Sequence, residues 1–102
     1  MYNKAVLIRY DPVKDLLNQE KHGLSLAHAG LFEWATALIR ADTRSDYGEP
    51  RFQALGLLDM RVHLAVFTIR DDALRIISLR RANRREERRH EEAQAAEKPD
   101  GR

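Results

Sequence analysis

The sequence predicts an α+β domain in which an antiparallel sheet carries two N-terminal helices on one face and is followed by a C-terminal arginine-rich helix. Helical signals lie only near the two ends of the chain, whereas residues 36–81 consist of short apolar runs separated by polar breaks. The length of 102 residues suits one domain with one modest core. We expect this domain to occupy residues 1–96 and residues 97–102 to form a disordered tail.

The N-terminal part of the chain predicts one strand and two helices. Residues 4–10 are predicted to form the opening strand. Asp11 and Pro12 then suit the N-cap and the first position of a helix, and Gly23 suits its C-terminal cap. Between these caps, apolar residues recur at helical spacing and give the helix one apolar face: Val13, Leu16 and Leu17. Ser25 is predicted to begin a second, short helix.

The middle of the chain predicts four further strands. They are expected at residues 36–42, 50–58, 61–70 and 73–81. The tight polar breaks Asp59-Met60 and Asp71-Asp72 suggest antiparallel hairpins, although neither contains the glycine that primed turns prefer. The run LAVFTI is apolar on both faces, which predicts a central strand that is covered on both sides.

A basic cluster marks the junction between the last strand and the last helix. It contains six arginines: Arg80, Arg81, Arg84, Arg85, Arg88 and Arg89. Residues 80–90 carry only two glutamates against them, a local charge of +4, whereas the whole chain carries +2. Arginine binds phosphate bidentately and stacks on bases, so this cluster predicts contact with RNA or DNA. The alternative is a solvated helix with Arg–Glu pairs along its surface.

Local pairing on the last helix accounts for only part of this cluster. Asn83 and Glu86 have the spacing of a capping box, so the helix is expected to begin there. Three helix arginines have glutamates three or four positions away: Arg84, Arg88 and Arg89. Arg80 and Arg81 have no carboxylate within helix reach, and we expect them to be unpaired. Strict alternation along the last strand groups Ile77, Leu79 and Arg81 on one face, with Ile76, Ser78 and Arg80 on the other.

Several classes of protein are excluded or disfavoured by composition. The chain has no cysteine, which excludes disulfides, cysteine-based zinc sites and thiol nucleophiles. No apolar run approaches the ~20 residues that span a bilayer, and the N-terminus does not resemble a secretory signal. The spacing of Asp, Glu and His residues suggests no metal site. We therefore expect a cytoplasmic protein without a metal, a cofactor or a membrane partner.

Three segments together resemble the BrnT toxin family. DPVKDLLNQEKHGLSLAHA is similar to the family opening D-x-x-K…N-x-x-K-H-G-V/I-S-F-x-x-A, and GEPRFQALG is similar to its E-x-R-x-x-x-x-G segment. RIISLRRANRREERRHEE is similar to its closing R-I-I-S-A-R-x-A…E-R signature. The resemblance covers residues 8–92. The matching positions are Asp11, Lys14, Asn18, Lys21, His22, Gly23, Ser25, Glu49, Arg51, Gly56, Arg75, Ser78, Arg80, Arg81 and Glu87.

This resemblance implies a RelE-like fold and a ribonuclease toxin of a type II toxin–antitoxin module. It also implies a BrnA-type antitoxin with a ribbon-helix-helix part, which binds operator DNA in complex with the toxin and represses their operon. The sequence departs from the family pattern at three positions. Tyr10 replaces a common Trp and Leu26 replaces Phe, whereas His90 replaces a usual Tyr. Whether His90 takes over the role of that Tyr or marks reduced activity stays open.

The residues also suggest a chemistry. RNA cleavage without a metal needs a base for the 2′-hydroxyl, an acid for the leaving 5′-oxygen and cations for the phosphorane charge. The predicted catalytic residues are Lys21, His22, Arg80, Arg81, Arg84 and His90, and the predicted RNA-binding residues are Arg51, Arg75, Arg85, Arg88 and Arg89. His22 is equally explained as a cation at a helix C-terminus, and His63 is better explained as a sheet residue.

Two functions therefore remain open. One is an RNA-cleaving toxin that a bound antitoxin neutralises. The other is a non-catalytic binding subunit whose basic patch holds an acidic partner or nucleic acid. Arginine clusters fit both, because each requires binding to an anionic partner.

Overall fold

The polypeptide forms a five-stranded sheet and two α-helices in the computed structural model, which describes the backbone of residues 6–97 and the side chains of residues 6–96. The elements are β1 (Ile8–Tyr10), α1 (Pro12–His22), β2 (Leu38–Ala41), β3 (Phe52–Leu58), β4 (Arg61–Arg70), β5 (Ala73–Arg81) and α2 (Arg84–Glu97). Two 3-10 segments, Leu26–Leu31 and Trp34–Thr36, connect α1 to β2. In this part of the chain no helix has the length and apolar character needed to cross a membrane.

The sheet is mixed rather than antiparallel. Its strand order is β1-β5-β4-β3-β2, and β1 runs parallel to β5 with Ile8 opposite Leu74. The other neighbours are antiparallel. The prediction of a fully antiparallel sheet was therefore wrong at this edge, because hydrophobic periodicity reports which residues are buried and carries no information on strand direction. Of the predicted opening strand, residues 4–5 lie outside the described residues and residues 6–7 are not in the strand.

The caps of α1 are confirmed, and the predicted second, short helix is present as a 3-10 helix rather than an α-helix. Asp11 Oδ2 accepts the backbone N–H of Lys14 at 3.0 Å, and Gly23 adopts the left-handed conformation with φ 71°. Ser25 Oγ accepts the backbone N–H of Ala27 at 3.1 Å, as predicted for a helix start. The segment that follows forms 3-10 turns instead of an α-helix, since it is too short to stabilise a helical nucleus.

Both predicted hairpins are present. The strands on either side of Asp59-Met60 and Asp71-Asp72 pair in antiparallel register. All four turn residues have positive φ, between 52° and 65°. This is the conformation of a primed two-residue turn, formed here without glycine; aspartate tolerates it better than most residues.

The core lies between one sheet face and the 3-10 segments. Leu26, Ala29 and Phe32 pack there against buried residues of three strands: Ala54, Leu58, Ala65, Phe67, Ile76 and Leu79. Gly56 is required at its position, since an added Cβ would lie 2.7 Å from a Phe32 ring atom. The apolar face of α1 takes no part in this core. Its residues Val13, Leu16 and Leu17 are 63%, 65% and 57% exposed.

A β-bulge changes the phase of β5. Val66 lies opposite Ser78 and Phe67 lies opposite Ile76, so Ile77 is left without a partner. Ile76 and Leu79 consequently both belong to the main core. The strict alternation predicted for this strand was therefore wrong, because an extra residue reverses which face each side chain occupies. The central position of β4 and its burial from His63 to Thr68 agree with the prediction from LAVFTI.

Candidate functional site

An open cleft of about 480 Å³ lies between α1 and the sheet residues of β4 and β5. Its lining residues are Lys14, Leu17, Asn18, Lys21, His22, Arg44, Leu64, Val66, Ile77, Ser78 and Arg80. Four of them are cations and one is a histidine, whereas none is an aspartate or glutamate. The cleft therefore presents a concentrated positive potential to a ligand.

Asn18 fixes α1 beside this part of the sheet. Its Nδ2 donates to the carbonyls of Leu79 at 2.8 Å and Leu24 at 2.9 Å, and its Oδ1 accepts the N–H of Leu79 at 3.1 Å. The pairing of β1 with β5 ends at Ile76, so the buried Asn18 amide takes the place of a neighbouring strand at Leu79. This contact holds the last turn of α1, with Lys21 and His22, at the cleft.

Asp15 joins α1 to the start of the 3-10 segment that follows it. Its Oδ1 accepts the backbone N–H of Leu26 at 2.7 Å and the hydroxyl of Ser25 at 2.9 Å. The hydrogen bond from Leu26 is the largest cause of a lowered pKa of Asp15, so the carboxylate is ionised near neutral pH. The position of α1 is thus set by polar contacts rather than by its exposed apolar face.

His22 has the properties of a proton acceptor. Burial lowers the pKa of His22, and the charges of Lys21 and Arg80 lower it further. The imidazole is therefore neutral at physiological pH. No hydrogen-bond partner of its ring is found among residues 6–96, which leaves a ring nitrogen free to take a proton from a ligand.

Arg80 is paired, contrary to the prediction from sequence. Its Nη1 donates to Glu86 Oε1 and its Nη2 to Glu86 Oε2, each at 2.9 Å. Glu86 Oε1 also accepts the N–H of Asn83, and Asn83 Oδ1 accepts the N–H of Glu86, so the predicted capping box is confirmed. Burial opposes ionisation of Glu86, but the hydrogen bonds from Arg80 and Asn83 outweigh it and lower the pKa. The Arg80–Glu86 pair could not be predicted from helical spacing, because it joins a strand residue to a helix residue.

Arg44 is a cleft residue that the sequence did not reveal. Its Nε donates to Asp42 Oδ1 at 2.8 Å and its Nη2 to Asp42 Oδ2 at 2.7 Å. The hydrogen bonds from Arg44 are the largest cause that lowers the pKa of Asp42 to about 2, and this buried carboxylate in turn raises the pKa of Arg44. Arg44 stands in the polar loop between β2 and β3, and a lone arginine in such a loop gives no sequence signal.

Arg81 and His90 lie away from the cleft. They line a second cavity of about 390 Å³ together with residues from the β3–β4 hairpin. His90 is buried, and its Nε2 has no hydrogen-bond partner among the described residues. Arg81 is exposed. Neither side chain lines the cleft together with Lys21, His22 and Arg80.

The other predicted arginines form two groups outside the cleft. Arg84, Arg85 and Arg88 are exposed on α2, and none of the predicted helical ion pairs is formed among residues 6–96. Arg89 is partly buried on the same helix, with an unpartnered Nε. Arg75 is partly buried in β5 and Arg51 is partly buried just before β3, and the guanidinium of Arg51 lies 4.0 Å from the ring centroid of Tyr47.

The remaining histidines have local explanations. His63 is buried in β4, with its Nδ1 2.8 Å from the carbonyl of Arg61, which agrees with a sheet role. His28 is exposed, with its Nδ1 3.1 Å from the carbonyl of Ser25. Within residues 6–97, no group of three His, Asp or Glu side chains has the arrangement of a metal site.

Comparison with known proteins gives a consistent result. The model of the family described as the ribonuclease toxin, BrnT, of type II toxin–antitoxin systems matches residues 10–86, a range that contains every residue lining the cleft. The crystal structure of the Brucella abortus ribonuclease toxin, BrnT, is similar to this chain with a TM-score of 0.60 and 28% sequence identity. The similarity covers 78% of this chain and 99% of that one. No curated protein matches the chain.

Proposed function

The chain belongs to the BrnT family of ribonuclease toxins of type II toxin–antitoxin systems, and on that premise we propose that it is a cytoplasmic, RelE-like endoribonuclease that cleaves RNA in the cleft between α1 and β5. The observation that supports this assignment is the composition of the cleft. A histidine with a lowered pKa stands there among four cations, and no lining residue is acidic. The cleft can therefore attract an anionic substrate, accept a proton from it and stabilise negative charge on it.

In the proposed reaction, neutral His22 takes the proton of an RNA 2′-hydroxyl. The 2′-oxygen attacks the adjacent phosphorus, and the bond from phosphorus to the 5′-oxygen breaks. Arg80 and Arg44 stabilise the negative charge of the phosphorane, and the ammonium of Lys21 gives a proton to the leaving 5′-oxygen. The products are a 2′,3′-cyclic phosphate and a 5′-hydroxyl. Arg81, Arg84 and His90 lie outside the cleft, so we assign them no proton transfer.

We propose that this reaction needs no metal. The concentrated positive charge of the cleft repels a divalent cation and supplies the charge stabilisation that such a cation would otherwise provide. The test uses purified protein and a labelled RNA in excess EDTA. We expect cleavage that yields cyclic-phosphate ends and that His22→Ala reduces by about 10². Cleavage that EDTA stops and magnesium restores would contradict the proposal.

We further propose that the partner is a BrnA-type antitoxin with a ribbon-helix-helix part. Membership of a type II family supports an antitoxin, since such toxins are neutralised by a bound protein. The proposed complex binds operator DNA through the antitoxin and represses its own operon. Expression of the chain alone should arrest growth, and co-expression of the antitoxin should restore it.

A non-catalytic binding subunit is the competing function. That alternative predicts RNA binding without RNA cleavage, and no growth arrest when the chain is expressed alone. The labelled RNA assay separates the two, because it measures binding and cleavage on the same substrate.

A further inference from the structure

The two arginines of the cleft share one arrangement. Each is held through two N–O contacts by a carboxylate that is itself largely buried. The side chain of Asp42 is fully buried, whereas that of its partner Arg44 is 60% exposed. The side chain of Glu86 is 11% exposed, and that of its partner Arg80 is 31% exposed. Both arginines reach the cleft, and both carboxylates lie outside its lining.

Glu86 binds the terminal edge of the Arg80 guanidinium, the edge formed by Nη1 and Nη2; the side edge is formed by Nε and Nη2. Arg80 Nη1 and Nη2 each donate to one oxygen of Glu86, and Nη1 also donates to the carbonyl of Arg81 at 3.1 Å. Arginine has five N–H donors, so the Nε–H and one N–H of Nη2 remain. These two have no partner among the described residues, and they lie on the same side edge of the guanidinium. That edge has the geometry that binds two phosphate oxygens.

Arg44 is held in the complementary way. Its Nε and Nη2 donate to the two oxygens of Asp42, so the side edge is occupied. The terminal edge, with Nη1 and the second N–H of Nη2, has no partner among residues 6–96. Tyr47 stands near the same carboxylate, with its hydroxyl 3.5 Å from Asp42 Oδ2. Each cleft arginine therefore keeps one two-donor edge for a ligand.

We propose that Asp42 and Glu86 are positioning residues of the RNA-cleaving centre, each holding one edge of a cleft arginine so that the other edge meets an RNA phosphate. This inference rests on the proposed ribonuclease function. The carboxylates do not touch the substrate, and they act by removing the rotational freedom of Arg44 and Arg80 before RNA binds. Orientation of this kind benefits a transition state more than it benefits binding of the ground state.

An amide cannot replace either carboxylate in this role. Glu86 accepts from two nitrogens of Arg80 and from the backbone of Asn83, using both oxygens. Glutamine offers one acceptor oxygen and one donor nitrogen, so one of these contacts becomes a donor facing a donor. The same holds for asparagine in place of Asp42. Either change also removes a negative charge beside the cleft, which favours RNA binding.

The test compares Glu86→Gln and Asp42→Asn with charge-matched controls, Glu92→Gln on α2 and Asp46→Asn in the Arg44 loop. Glu92 is exposed, and within residues 6–96 Asp46 accepts only the N–H of Gly48, a contact that asparagine retains. The single-turnover cleavage rate at saturating RNA and the Kd for an uncleavable 2′-deoxy analogue are measured for each. We expect the rate to fall at least tenfold in both positioning variants with the Kd unchanged or lower. The controls should keep the wild-type rate, with a Kd that is likewise unchanged or lower.

Two other results would overturn the inference. In the first, His22→Ala sharply reduces cleavage while both positioning variants keep the wild-type rate, so the function stands and the positioning role fails. In the second, the rate and RNA affinity fall together with melting temperature, which shows a purely structural role. Glu86→Asp, which retains both acceptors on a shorter stem, should recover part of the rate, and no recovery would count against the inference. Absence of cleavage by the wild type would instead refute the proposed function.

Discussion

The arginines of the cleft and the arginines of α2 are the same residue type in opposite settings. Arg44 and Arg80 are each held by a largely buried carboxylate. Arg84, Arg85 and Arg88 are exposed and have no ion pair among residues 6–96. A held guanidinium can act on one atom of a substrate, because its orientation is fixed. A solvated one acts through charge at longer range, and salt screens its effect.

This difference explains why six arginines lie within ten positions of the chain. Only Arg80 is oriented by the strand–helix junction, through the same glutamate that completes the cap of α2. The exposed helix arginines repel one another, but water reduces the cost to a few tenths of a kcal/mol per pair. Under the proposed function, the cluster combines one residue suited to chemistry with several suited to attracting RNA.

The largest effect is expected for Arg80→Ala. We predict that cleavage falls by about 10²–10³, since a donor to the phosphorane is lost. The free energy of unfolding should also fall, by about 1 kcal/mol, because Glu86 is left largely buried without its partner. Single-turnover assays and chemical denaturation measure the two quantities. If folded Arg80→Ala cleaved RNA at the wild-type rate, the cleft arginines would not differ in function from the arginines of α2.

His22→Ala should reduce cleavage by about 10², the usual contribution of a general base. Because the pKa of His22 is lowered, the wild-type kcat/KM should rise with pH through a value below 6.5 and stay level through neutral pH. The exposed His28→Ala provides the control. If the wild-type kcat/KM rose with pH through a value at or above 6.5, the base would be another group. The same would hold if the rise persisted in His22→Ala.

The triple variant Arg84→Ala, Arg85→Ala, Arg88→Ala should weaken RNA binding several-fold without changing the rate at saturation. Removal of three phosphate contacts should reduce the slope of log K against log salt by about 2 for single-stranded RNA. Stability should change little, because these side chains are exposed. Binding titrations at several salt concentrations measure the slope. An unchanged slope would mean that α2 does not contact RNA.

The smallest effect concerns the pH dependence of stability. The pKa of Asp42 is about 2 in the folded protein against an ordinary 3.8, so its contribution is fully present above about pH 4 and is lost as the pH falls through 2. The difference in unfolding free energy between the wild type and Asp42→Asn should shrink over that range. Denaturation curves from pH 5 to pH 2 provide the measurement, and a constant difference would show that the Arg44 contact does not depend on charge.

Local features of this fold were predictable from the sequence. The caps at Asp11, Gly23 and Ser25 depend on residues a few positions apart, as does the capping box of α2. The strands β3, β4 and β5 have apolar runs bounded by turn residues, and the resemblance to BrnT toxins, confirmed by the family match, drew attention to Lys21, His22 and Arg80.

What the sequence did not reveal depends on tertiary geometry. The parallel pairing of β1, the bulge at Ile77 and the Arg80–Glu86 pair each join parts of the chain that no helical or strand period relates. Arg44 lines the cleft from a loop, where the buried Asp42 binds its guanidinium. The exposed apolar face of α1 shows the same limit, since helical spacing identifies a face but not what covers it.

Replacement of arginine by lysine tests the central distinction most directly, because lysine keeps the charge and loses the two-donor fork. The single-turnover rate at saturating RNA is measured for the pair Arg44→Lys, Arg80→Lys and for the set Arg84→Lys, Arg85→Lys, Arg88→Lys. We predict at least a tenfold lower rate for the cleft pair and an unchanged rate for the helix set. Equal rates in the two variants would contradict the account, since charge alone would then explain both groups of arginines.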